Sequence, residues 1–175
     1  GKNGNLNIGK AAFMPKEEQL ETAIRYKRLT IGIPSDKKND EKRVALTPEA
    51  VNLLVESDNE VVLQKGAGTG ANYSDKDYSE NGAVITDSQA RVFSADAVIK
   101  IAPFTFQETE YMKGNQVIMS FLNVLKLDEE TLCKLIRKKV TAIALEKIKD
   151  SKGEMPVMES MSEISGVTSI LIASD

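Results

Sequence analysis

Residues 29–63 read "LTIGIPSDKKNDEKRVALTPEAVNLLVESDNEVVL", and the order of signals within them decides the fold. "LTIGI" (29–33) is a short apolar strand stopped by Pro34. A polar loop follows over 35–43. Thr47-Pro48-Glu49 then starts a helix: a capping hydroxyl, a proline at the first helical position and an acid near the positive end. Val51, Leu54 and Val55 recur at helical spacing. "EVVL" (60–63) is a second strand. Strand, helix, strand without a tight hairpin turn is a βα unit, which implies parallel strands.

The same alternation continues outward. "KGAGTGANY" is a glycine loop, and Ser74-Asp75 caps a short helix to about Asn81. "AVI" (83–85) is a strand, followed by a helix around 87–93. "DAVIKI" (96–101) is closed by Pro103, and residues 107–113 fit a short helix. "QVIMSFL" (116–122) is nearly all apolar, as in a strand covered on both faces. Asp128 to Lys138 reads as an amphipathic helix with Leu132, Leu135 and Ile136 inside. Its acids lead and its bases trail, matching the helix dipole. "VTAIAL" (140–145) is the sixth strand. A Gly/Pro turn region at 150–156 leads to "SEISGVTSILIAS", read as a helix capped by Ser162. The expected fold is α/β: a mainly parallel sheet with helices on both faces, a flavodoxin/Rossmann-like three-layer domain lacking its own dinucleotide fingerprint.

Upstream, Pro15 to Lys27 reads as a helix with Leu20 and Ile24 as a thin apolar stripe. Residues 1–28 are thus expected to be an extension with one helix, its polar, Gly/Asn-rich start mobile. Residues 29–160 form the domain. Residues 161–175 open a helix that reads as cut short.

Composition excludes several function classes. The chain has 175 residues, a net charge of −3 and a sequence pI near 5.2. Nucleic acid is not the expected partner, because phosphate binding needs a basic surface. With no histidine and a single cysteine, Cys133, neither an internal disulfide nor a common zinc site can form. Cys133 lies in a helical pattern between Leu132 and Leu135 and reads as a small buried or half-buried residue. No acidic cluster has calcium-loop spacing. No stretch is long and apolar enough for a membrane span and no secretory signal is visible, so a cytoplasmic protein is the default.

Two features carry candidate chemistry. "GAGTGA" (66–71) fits G-x-G-x-x-A after a strand, one form of the dinucleotide fingerprint. In that fingerprint the helix begins inside the motif and is apolar at once. Here Asn72 to Asp77 follow, so the motif reads as a glycine turn. The second feature is positional. Open parallel sheets bind ligands beyond the carboxyl ends of their strands. The loop after the first strand brings Lys37, Lys38 and Arg43 there, the fourth strand brings Lys100, and the fifth brings Asn123. Arg43 and Lys100 with the Asn123 amide on one rim suit a small carboxylate, which arginine grips in a bidentate fashion. The competing reading makes Arg43 and Lys100 solvated edge charges.

At this point "IGIPSDKKNDEKRVALTPEAVNLL", "VVLQKGAGTGANYSDKDY", "ADAVIKIAP", "NQVIMSFL", "KVTAIALE" and "SMSEISG" together carry a resemblance. Over roughly residues 29–175 they resemble the N-terminal domain of alanine dehydrogenase and of the nicotinamide nucleotide transhydrogenase α subunit. The resemblance implies a two-domain oxidoreductase using NAD or NADP. A C-terminal nucleotide-binding domain, absent from this chain, would hold the cofactor, and a small carboxylate substrate would lie between the domains. It also implies a homo-oligomer at full length. Arg43 matches the family arginine that binds the substrate carboxylate. Lys100-Ile101-Ala102 stands where the family has Lys-x-Lys, so its second lysine is Ala102. Asn123 stands where alanine dehydrogenases place their catalytic histidine, so no residue here is assigned a catalytic role. Met161 and Ser162 match the segment that faces the nicotinamide.

These departures set the alternatives. Interconverting an amino acid and a 2-oxo acid requires proton transfer, which histidine provides and asparagine does not. Transhydrogenation between two nucleotides needs no such group, but needs a membrane-bound partner. "SMSEISG" resembles the alanine dehydrogenase form, since a glutamine is expected at Met161 in the transhydrogenase. The leading expectation is the substrate-side domain of a divergent alanine dehydrogenase-like enzyme, inactive alone. The others are a transhydrogenase α-like subunit and a catalytically dead carboxylate-binding or regulatory module.

Overall fold

The computed structural model describes residues 28–36, 41–123 and 127–163. The helix expected at 15–27, Lys37 and Lys38, and the apolar segment after Glu163 lie outside those residues. Within them are six strands: β1 (Thr30–Ile33), β2 (Glu60–Gln64), β3 (Val84–Thr86), β4 (Ala97–Ile99), β5 (Val117–Ser120) and β6 (Thr141–Ala144). The connecting helices are α1 (Pro48–Glu56), α2 (Asp75–Glu80), α3 (Gln89–Phe93), α4 (Phe106–Tyr111) and α5 (Glu129–Arg137). All strands lie in one sheet of order β3-β2-β1-β4-β5-β6, and every neighbouring pair is parallel. That order is the one of doubly wound α/β domains, with its reversal between β1 and β4.

Alternation along the strands builds two cores. Ile31 and Ile33 of β1 point to one face, with Val61 and Leu63 of β2, Val51 of α1 and Tyr78 of α2. Val98 of β4 and Ile118 of β5 point to the other, with Phe93 of α3, Met112 beyond α4 and Leu135 of α5. Helices therefore cover both faces, as expected. Gly32 faces α3, so close that a Cβ there would lie 2.1 Å from the Val92 carbonyl oxygen.

Thr47 caps α1: its side chain accepts a hydrogen bond from the Ala50 N–H, with Pro48 in the first turn. Thr47→Ala is expected to cost about 1 kcal/mol, the usual value of such a cap. A urea denaturation midpoint checks this. An unchanged midpoint would show that packing around Pro48 holds the first turn without the cap.

Three expectations need correction. In α5, Thr131 and Leu135 are the buried residues, whereas Leu132 is exposed and Ile136 is 66% exposed. The helix sits over the β5–β6 edge and beside α4, so a narrow row reaches the core. Cys133 is exposed rather than buried. It lies two residues from Leu135, which at about 100° per residue places it on the opposite side of the helix. Finally, residues 156–163 are already helical, so that helix starts at Pro156 and Ser162 does not cap it. Pro156 was the start signal, a proline in a first turn.

Candidate functional site

The carboxyl ends of β1, β4, β5 and β6 converge on one rim, and the chain after β1 crosses it as an irregular segment, residues 41–46. Two contacts fix that segment from behind. The Tyr78 hydroxyl donates to the Leu46 carbonyl at 2.8 Å. Burial pushes the Tyr78 phenol up to about 12, so it stays a neutral donor at ordinary pH. Gly70 presses on the backbone of Lys42, where a Cβ would lie 2.7 Å from the carbonyl oxygen. Gly68 leaves the same kind of room for the Tyr78 ring, which a Cβ would meet at 2.4 Å. The glycines of "GAGTGA" thus provide close packing: the loop makes a single 3₁₀ turn, Thr69–Ala71, and ends on Asn72 in the left-handed region. It follows β2, whereas a dinucleotide fingerprint follows the first strand.

Arg43 stands at the front of this segment, its side chain 46% exposed. Its Nε donates to Glu41 Oε1 at 2.8 Å and its Nη2 to Glu41 Oε2 at 2.7 Å, a bidentate pair along one edge of the guanidinium. Nη1 donates to the Met161 sulfur at 3.0 Å. The Phe121 ring lies 6.0 Å from the guanidinium carbon. The hydrogen bonds from Arg43 hold the Glu41 carboxyl below its ordinary range, and Glu41 in turn holds Arg43 above its own. Arg43, Met161 and Phe121, from three distant parts of the sequence, thereby form one corner. An open depression of about 530 Å³ runs along it, lined also by Ala102, Phe104 and Asp128.

Lys100 is not on that surface. Its ammonium is fully buried, 2.9 Å from Asp36 Oδ1 and 2.8 Å from Glu108 Oε1, and faces the Phe104 ring at 5.3 Å. The Asp36 contact is a close ion pair rather than an aligned hydrogen bond. Both carboxylates have a second duty. Asp36 Oδ2 accepts the N–H groups of Ile101 and Ala102, and Glu108 Oε2 accepts that of Thr105. The triad therefore ties the loop after β1, the end of β4 and the start of α4 into one block. It sits beyond the carboxyl ends of β1 and β4, where the strand order reverses.

Asn123 lies on the rim in the left-handed region, exposed, with φ of 43°. Its N–H and that of Leu122 donate to the two carboxylate oxygens of Glu146, at 2.9 and 3.2 Å. A residue just past β6 thus fixes the turn that ends β5. Ser162 is exposed one residue beyond Met161.

Of the residues expected at the site, Arg43 and Met161 are brought into contact, Asn123 and Ser162 are at the surface, and Lys100 lies underneath. Sequence reasoning missed Glu41, Asp36, Glu108 and Glu146. Thr105-x-x-Glu108 is a readable capping box. Its reach to Lys100 is not, because the pairing depends on where the loop after β1 falls.

The glycine loop is packed against tyrosine and backbone. With Gly68 and Gly70 closed by Tyr78 and Lys42, the glycine loop offers no cradle for a dinucleotide phosphate. Residues 32–165 match the family described as alanine dehydrogenase/PNT, N-terminal domain. The chain belongs to that family. It is 36% identical over 148 residues to an alanine dehydrogenase of Staphylococcus saprophyticus, matching 84% of this chain and 39% of that protein. It is likewise 36% identical over 147 residues to alanine dehydrogenase 2 of Staphylococcus aureus strain USA300. The chain thus spans about two-fifths of the length of these curated relatives. A solved L-alanine dehydrogenase superposes with a TM-score of 0.76 at 32% identity, over 82% of this chain and 39% of that one. The transhydrogenase of Sinorhizobium meliloti shares the fold, with a TM-score of 0.64 at 24% identity over 70% of this chain and 37% of that one. Membership of this alanine dehydrogenase/PNT family places the chain with oxidoreductase relatives. Among the described residues, no helix is long and apolar enough to cross a membrane.

Proposed function

We propose that this chain is the substrate-side domain of an NAD(P)-dependent oxidoreductase resembling alanine dehydrogenase, acting on a small amino or 2-oxo acid. The observation that carries this reading is the Arg43 corner. A guanidinium is anchored along one edge by Glu41 and meets Met161 and Phe121 at the mouth of an open depression. The end-on edge beside the Glu41 pair, Nη1 with the second Nη2 hydrogen, suits a carboxylate, which planar guanidinium groups bind through paired hydrogen bonds. Asn123 lines the rim and could orient a ligand by its amide. Lys100 serves the site from below by pairing with Asp36, which holds the Ala102 N–H, and by facing the Phe104 ring. Met161 and Ser162 face the nicotinamide, whose nucleotide is held by a C-terminal domain outside this chain. The enzyme works in the cytoplasm as a homo-oligomer.

The test uses the full-length protein. Arg43→Ala is expected to weaken pyruvate binding by about a hundredfold, the size of a lost charge-assisted bidentate contact. Arg43→Lys recovers part of that, since an ammonium supplies charge without the fork. Isothermal titration measures both variants. Unchanged binding in Arg43→Ala removes Arg43 from the site.

A second reading is a carboxylate-binding module without turnover, favoured by Asn123 and Ala102. An amide in place of a titratable ring leaves no proton carrier at that rim position. Pyruvate binding with no NADH consumption in the presence of ammonium supports this reading. Steady consumption rejects it.

A further inference from the structure

We propose that Glu41 is a resident counter-carboxylate that orients Arg43 and limits how tightly its open edge takes an anion. The inference rests on Arg43 being the anion site and adds what tunes it. The two partners are unequally placed: the Glu41 side chain is 15% exposed, against 46% for Arg43. The carboxylate therefore lies behind the guanidinium and the guanidinium lies in front of it, on the depression that both line.

Arg43 has five N–H groups. Glu41 takes one from Nε and one from Nη2, the side-on edge. Glu41 also accepts the Arg43 backbone N–H at 3.0 Å, so one carboxylate fixes both the main chain and the side chain of the same residue. What remains is the end-on edge, Nη1 with the second hydrogen of Nη2. A thioether is a weak acceptor, so the Met161 sulfur on Nη1 is a contact that a carboxylate can replace. Anchoring one edge lowers the entropy cost of presenting the other, since an arginine side chain is rich in rotamers. The same anchor also offsets part of the charge that would attract an anion. Any carboxylate on the end-on edge shares the guanidinium with a like charge a few ångströms away. Orientation and repulsion thus come from the same side chain, and glutamine separates them. Glu41→Gln keeps one acceptor on the side-on edge and removes the charge.

The experiment is titration of the full-length protein with pyruvate and with its neutral amide, pyruvamide. Glu41→Gln should bind pyruvate about tenfold more tightly, the scale set by removing one nearby like charge at the dielectric of a protein surface, and bind pyruvamide as the wild type does. Glu41→Ala should bind pyruvate more weakly than Glu41→Gln, because it also loses the anchor. Equal or weaker pyruvate binding by Glu41→Gln overturns the proposal, as does an equal gain for both probes, which would reflect a reshaped depression rather than charge. Arg43→Ala keeps the two readings apart. If it abolishes pyruvate binding while Glu41→Gln changes nothing, Arg43 stands and the role given to Glu41 falls. If it binds pyruvate normally, the anion site itself is misplaced.

Discussion

Lys100→Met is expected to destabilise the domain by about 3–5 kcal/mol, the usual cost of removing one partner from a buried charge cluster. Lys100 carries the single positive charge of the triad, with Asp36 and Glu108 on either side of it. Methionine matches the length of the side chain and fills its space. The loss is therefore electrostatic: two carboxylates stay buried with no cation between them. Each would still accept its backbone N–H groups, from Ile101, Ala102 and Thr105, but a dry carboxylate pair repels. The triple change Lys100→Met, Asp36→Asn and Glu108→Gln should recover most of the stability. Amide oxygens can still accept those backbone bonds, and no unpaired charge is left. Urea denaturation followed by circular dichroism measures both proteins. A single variant as stable as the wild type would mean that water reaches the triad. A triple variant no better than the single would mean that the ammonium matters for packing rather than charge.

The triad also marks how far the sequence could be read. The sheet was legible because each strand is a short apolar run punctuated by a residue with a clear mechanism: Pro34, the Thr47-Pro48 cap, the Ser74 cap, Pro103 and the Asp128 cap. Those signals are local, and local geometry suffices to form them. Rim positions followed from topology, since residues after a parallel strand must emerge at its carboxyl end. Depth did not follow. Arg43 and Lys100 look alike as cations after strands, yet one is on the depression and the other is beneath it. The difference is set by Asp36 and Glu108, which lie 64 residues before and 8 residues after Lys100 (100 − 36 and 108 − 100). Burial in α5 failed for a related reason. Its apolar residues recur at helical spacing, but how wide a stripe the core accepts depends on whether the helix lies over the middle of the sheet or over its edge. The partner of Asn123 was hidden too, because Glu146 reaches it from the turn just past β6 rather than from its own segment.

Gly32→Ala is expected to cost more than about 3 kcal/mol, beyond the usual range for an overpacked methyl group. The added Cβ would sit 2.1 Å from the Val92 carbonyl oxygen and 3.1 Å from the Ala95 Cβ. An overpacked side chain can often turn away, but here the obstacle is backbone. The Val92 oxygen accepts the Ala95 N–H at the end of α3, so pushing it aside unwinds the helix terminus. β1 cannot yield either. It is paired in parallel on both sides, Gly32 opposite Val62 of β2 and opposite Val98 of β4. One of three things must break: the β1–β2 ladder, the β1–β4 ladder or the seat of α3. The effect then reaches the site, because the chain leaves β1 directly into Pro34, Ser35 and Asp36. A shift of β1 pulls Asp36 from Lys100 and loosens the amides of Ile101 and Ala102 on the floor of the depression. The variant should therefore lose both its urea midpoint and its resistance to proteolysis after β4, where Phe104 and Thr105 would be uncovered. A midpoint within about 0.5 kcal/mol of the wild type, the range of an ordinary surface change, would show that α3 rides on the sheet with far more freedom than a 2.1 Å approach permits.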